Sequence, residues 1–155
     1  MHKRPIAIVL ALVLFSAAGC SKFTARVELN KGNALYAEEE YQEALTHYER
    51  GLELDPKATF AWRSVGLSAL ALYRPGDESP ANKEFGKKAI QAFENYLSDP
   101  EFAADEKIRD YLLTTYVNAE EYDRALAYID EEEKAQGANS KYTKTKINIL
   151  SKAEQ

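Results

Sequence analysis

One cysteine, one tryptophan, one methionine and two histidines are all that 155 residues carry of those types, and the scarcity excludes a good deal. Cys20 on its own can close no internal disulfide and build no cysteine-rich metal site. His2 and His47 stand far apart in the chain and neither belongs to an HExxH pair, so no metal ligand set is encoded. There is no phosphate-cradling glycine loop and no GxSxG elbow. Ser64 and Ser68 have no histidine near them in sequence, and small residues there let helices pack. His47 reads as a surface or boundary residue of its helix. The chain therefore offers no catalytic residue, metal, cofactor or small-molecule substrate.

Basic residues are also short. Twenty Lys and Arg face 25 Asp and Glu, a formal net charge of −5. No acidic residue precedes Cys20, so loss of Lys3 and Arg4 with a leader would leave 18 cations against 25 anions, a net charge of −7. A body of that sign repels the phosphate backbone, which excludes nucleic acid as a partner. Two runs stand out, Glu38-Glu39-Glu40 and Asp130-Glu131-Glu132-Glu133. Both lack the alternating oxygens and glycine of a calcium loop and are expected to be solvated, the first in a turn and the second on a helix face.

What is present begins with a leader. His2-Lys3-Arg4 is a positive start, Ile6 to Phe15 an unbroken apolar run, and Ser16-Ala17-Ala18-Gly19 a small-residue stretch before Cys20. The run is too short for a bilayer span, which takes about 20 apolar residues, so residues 1–19 read as a signal peptide. An ordinary secretory signal and a lipoprotein signal both have this layout. Ala17-Ala18-Gly19-Cys20 resembles the bacterial lipobox, with Ala17 where leucine is usual. The position of the only cysteine directly after the apolar run favours that second reading. The resemblance implies acyl chains, palmitate among them, on Cys20 as the mature amino terminus. Two or more chains hold a protein stably at a membrane, at about 0.8 kcal/mol per buried methylene. Ser21 after the cysteine implies the outer membrane, facing the periplasm, if the source is Gram-negative. Residues 20–24 are left as the tether. Extended, four residues reach at most about 14 Å, which would keep the body against the membrane.

The rest of the chain is organised around residues 30–56. Gly32, Ala44, Tyr48 and Pro56 recur at fixed spacing, and Tyr41, Ala44, Leu45 and Tyr48 form one stripe at three- and four-residue steps. Gly32 and Ala44 permit close helix crossing, and Pro56 ends the second helix. This stretch, 25–58, resembles the tetratricopeptide repeat, a helix–turn–helix unit of about 34 residues. Trp62, Val65 and Gly66 begin a second repeat over 59–100, with Ala89 and Phe93 reached only after an insertion near 74–84. Ser79-Pro80 and Asp99-Pro100 bracket a long helix from about Pro80 to Leu97. A third repeat spans 106–139 through Tyr116, Tyr122, Ala125 and Ile129. In it Arg109 replaces the tryptophan, Gly137 the proline, and Leu113 the glycine, with a wider crossing expected at Leu113. A capping helix, 140–153, covers the end. The expected fold is an all-α solenoid of three repeats plus this cap, in a domain over 25–155.

In similar arrays the first helix of each repeat lines a concave groove. The corresponding positions are Arg26, Leu29, Asn33 and Tyr36; Phe60, Arg63, Leu67 and Leu70; and Lys107, Asp110, Thr114 and Val117, with Asn118 beside them. An aliphatic floor with aromatics and a few cations suits a protein or peptide segment. The resemblance implies a non-enzymatic, lipid-anchored scaffold or adaptor in the bacterial envelope. Similar lipoproteins assist pilus or secretin assembly or serve cell-wall enzymes. The alternative is a structural subunit packed permanently into a larger membrane-associated complex through its convex face or insertion.

Overall fold

The computed structural model describes the backbone of residues 4–137 and 140–153, and the side chains of 21–135, 137 and 140–152. Seven helices follow one another: α1 (Arg4–Ala37), α2 (Tyr41–Leu54), α3 (Ala61–Leu72), α4 (Pro80–Leu97), α5 (Glu106–Asn118), α6 (Tyr122–Gln136) and α7 (Ser140–Ala153). Each packs against the next in the chain, so α1–α2, α3–α4 and α5–α6 form three helix pairs and α7 closes the row. The fold is an all-α solenoid, and no strand occurs among the described residues.

Helix limits follow local chemistry. The Ser79 hydroxyl accepts from the Asn82 amide at 3.3 Å with Pro80 in the first turn, so α4 starts there as expected. Asp105 starts α5 by accepting from the Ile108 amide at 3.2 Å. The α1–α2 and α5–α6 turns are copies of one another. Glu39 and Glu120 both take the left-handed conformation, with φ 64° and 59°. In each, the next amide reaches back five residues along the chain, Glu40 N to Leu35 O and Glu121 N to Tyr116 O, both at 2.9 Å. That shared turn fixes the register of the third repeat despite its altered packing residues. In the second repeat the insertion replaces this turn.

Ala44, Ala89 and Ala125 are each 0% exposed, and one continuous core runs through the three pairs and into α7 through Tyr142 and Ile149. The glycines, however, make room for aromatics one helical turn beyond those alanines. A Cβ on Gly32 would lie 2.7 Å from Tyr48 Cε1, and one on Gly66 would lie 2.4 Å from Phe93 Cε1. Leu113 and Ile129 occupy the corresponding positions of the third pair, both buried. Ile129 is smaller than Tyr48 and Phe93, yet α5 and α6 approach one another less closely than the helices of the first two pairs, as expected from the bulk of Leu113.

Ser21–Thr24 belong to α1 and are helical rather than an extended tether. They contain no helix breaker and continue the register of the first repeat helix. The side chain of Cys20 and those of the leader lie outside the described residues. No helix among the described residues is long and apolar enough to cross a membrane.

Candidate functional site

The first helices of the three pairs, α1, α3 and α5, converge on one face. Tyr36 on α1 lies within electrostatic reach of Arg63 on α3 and Tyr111 on α5, and its ring packs edge-on against Tyr41 at 5.1 Å. Burial pushes the Tyr36 phenol above its usual pKa, so it stays a neutral hydrogen-bonding group in the physiological range. Lys107 sits over the Tyr111 ring, 5.8 Å from its centroid, and the other side of the site is backed by the stack of Tyr111 on Phe93 at 6.2 Å. Leu67 and Leu70 are half-buried against the core beneath them.

Asn33 is exposed and accepts from the Tyr48 hydroxyl at 2.9 Å, so its carbonyl is committed and its amide remains to donate. Arg63 is held weakly: its Nε stands 3.9 Å from Asp105 Oδ2, and its side chain is 41% exposed. Asp105 in turn accepts from the Tyr96 hydroxyl at 3.2 Å. The arrangement aims a partly compensated guanidinium at the groove without closing it in a tight pair.

Not every expected residue joins this face. Leu29 is 7% exposed and lies in the α1–α2 seam, because Gly51 on α2 leaves space for it: a Cβ on Gly51 would be 2.5 Å from Leu29 Cδ2. It is core, not groove. Asp110 pairs with Lys141 of α7 and so serves the junction with the cap. Asn118 stands at the end of α5, where its backbone carbonyl accepts from the Tyr73 hydroxyl at 2.7 Å and ties the insertion to the third repeat. Arg26 and Phe60 are exposed near the starts of their repeats, and Thr114 is exposed on α5. Tyr111 was not among the expected groove residues. It sits one position past Asp110, and its aromatic ring amid the polar residues of α5 was the available signal.

Of two polar sites on the second helices, His47 is the boundary residue expected and Glu132 is not solvated as expected. His47 Nδ1 lies 2.6 Å from Glu28 Oε2, and Glu28 is 8% exposed. That hydrogen bond holds the Glu28 carboxyl below its usual range. Glu132, expected on a solvated face, is 7% exposed and meets Arg109 at 3.1 Å and the Tyr142 hydroxyl at 3.1 Å. Its neighbours Asp130 and Glu133 do face outward, where Lys146 bridges both at 2.6 Å. Glu28, Trp62 and Arg109 hold the same position in their repeats. Where the tryptophan is missing, a polar pair to the second helix takes its place.

Residues 25–58 match the tetratricopeptide repeat family. The fold is thus a solenoid of tetratricopeptide type, and repeats of this kind typically bind protein partners. No curated protein matches the chain significantly. Among the described residues no three His, Cys, Asp or Glu side chains come together as a metal site.

Proposed function

We propose that this protein is a non-enzymatic scaffold that holds a peptide segment of an envelope complex in the α1–α3–α5 groove, anchored to a bacterial membrane through acyl chains on Cys20. One observation carries the groove: Tyr36 on α1 lies within electrostatic reach of Arg63 on α3 and Tyr111 on α5, three successive first helices, with half-buried Leu67 one helical turn on from Arg63. The aromatics offer area at low conformational cost, and Arg63 and Lys107 favour a segment bearing carboxylates. The anchor rests on sequence, on the one cysteine that directly follows the apolar run and its small residues. Assembly of a pilus, a secretin or the cell-wall machinery would use such an adaptor.

Photo-crosslinking in intact envelopes tests both parts. A photoreactive residue at Leu67 should yield an adduct with another polypeptide in the membrane fraction, and one at exposed Glu53 on α2 should not. With Cys20→Ala the unprocessed precursor should accumulate and the adduct disappear. An adduct at position 53 alone would remove the groove from the account. Normal cleavage of Cys20→Ala to a soluble product would remove the anchor.

A further inference from the structure

The face made by the second helices carries its own unfilled feature. α4 and α6 run side by side in the same direction, bridged by the Arg124–Glu94 pair. Three cavities lie along this seam. One of about 240 Å³ sits between Lys83 and Lys87 on one side and Glu120 and Glu121 on the other. The next, of about 370 Å³, shares Lys87 and Glu121 with it and ends at Glu94 and Arg124. The third, also about 370 Å³, shares Glu94 and Arg124 and opens over Leu97, Leu112, Tyr116, Ala127 and Tyr128, with Glu131 at its rim. Shared lining makes them one trough. From Lys83 to Ser98 it follows α4 for about 22 Å. At its apolar end the Tyr128 hydroxyl is buried with no hydrogen-bond partner.

The trough is acidic once its internal pairs are set aside. Lys83 is matched by Glu78 and Arg124 by Glu94, which leaves Lys87 against Glu120, Glu121 and Glu131, none of them in an ion pair. Lys88, the neighbouring cation on α4, is turned to Glu49 instead. A basic amphipathic helix is the complementary shape and charge.

The chain itself presents one. α7 uses Tyr142 and Ile149 to pack inward and Lys146 to bridge Asp130 and Glu133. Its outer strip holds Ile147 at 64% and Leu150 at 53% exposure, flanked by exposed Lys144 and Lys152, which have no ion-pair partner. Lys144 and Lys152 lie about 12 Å apart along the helix, and Glu121 and Glu131 about 15 Å apart along α6. Lysine stems span that difference.

We infer that the outer strip of α7 docks into the α4–α6 trough of a second copy, with Ile147 and Leu150 over Leu97, Leu112 and Tyr128 and the lysines on Glu121 and Glu131. The contact is heterologous, so it leaves one free strip and one free trough on every pair and can extend. Its two apolar anchors make it a small interface of the weak, transient class. It lies opposite the groove and leaves that face open to a partner.

Sedimentation of the whole chain in a mild nonionic detergent, from about 10 to about 500 µM, spans the micromolar affinities of a weak contact and tests this. The mass should rise with concentration, and the rise should shrink with salt. Ile147→Asp with Leu150→Asp should weaken association at least tenfold, and so should Glu121→Lys with Glu131→Lys, surface changes that leave the core intact. Mixing the two double variants should restore a 1:1 dimer and nothing larger, since together they retain one good strip and one good trough. A wild-type chain that stays monomeric at every concentration overturns the inference. So does a mixture that fails to pair while both variants keep wild-type circular dichroism. Association that survives the trough variant but not the strip variant assigns α7 a different occupant and overturns it as well.

Discussion

Gly32 with Tyr48 in the first helix pair, and Leu113 with Ile129 in the third, hold the same two places in the repeat. The first puts its bulk on the second helix and the third puts it on the first. Both pairs close with the same left-handed turn, at Glu39 and Glu120. The difference extends to the tryptophan position, where Glu28 reaches His47 in the first pair and Arg109 reaches Glu132 in the third. The backbone of the turn is thus held constant while side-chain volume and polar partners are exchanged across the crossing. Tight interiors tolerate such swaps when total volume is kept, and penalise either half alone.

The largest effect is expected where a charge would be stranded. Glu132→Ala leaves Arg109 half-buried without its carboxylate and takes an acceptor from Tyr142, so it should lower stability by about 3 kcal/mol. Urea denaturation measures this. A loss under about 1 kcal/mol would mean that solvent reaches the pair and that the third repeat is held by its aliphatic residues alone.

Next comes the volume swap. Gly66→Leu drives side-chain atoms into the Phe93 ring, which is 0% exposed and cannot give way, and should cost about 2–3 kcal/mol. Adding Phe93→Ile recreates the third-repeat combination in the second and should recover at least about half of that loss. Strict additivity of the two changes in a double-mutant cycle would show that the two positions do not compensate one another.

The smallest effect is a pH dependence. The Glu28 carboxyl titrates below its unfolded value of 4.5 because His47 hydrogen-bonds it, so the unfolded chain binds more protons in that window. Its contribution is complete above about pH 4.5 and is lost as pH falls through the lowered folded value. Glu28→Gln should flatten that part of the stability–pH curve. An unchanged curve in Glu28→Gln would show that the His47 contact does not persist in solution.

Much of this was legible in the sequence where a residue's role is local. Ser79-Pro80 marks the start of α4 because a hydroxyl acceptor and a fixed φ act within one turn, and the repeat spacing placed Ala44, Ala89 and Ala125 in the core. Roles that depend on the facing helix were less legible. Leu29 stands at a groove position, yet Gly51 across the seam draws it inward. Glu132 sits in a run of four carboxylates that looks solvated, but helical periodicity turns that one residue toward Arg109. Tyr111 belongs to the groove because Phe93, on a different repeat, supports its ring.

We propose that a partner segment is held in the groove through Arg63 and Lys107. Charge-assisted contacts contribute about 1.5–3 kcal/mol each, so Arg63→Ala with Lys107→Ala should weaken capture at least about a hundredfold. Capture from detergent-solubilised membranes, quantified beside unchanged circular dichroism, measures this directly. The paired control, Asp77→Ala with Glu78→Ala in the insertion, should leave capture intact. Loss of capture with the insertion pair and none with the groove pair would contradict the claim and place the partner on the insertion.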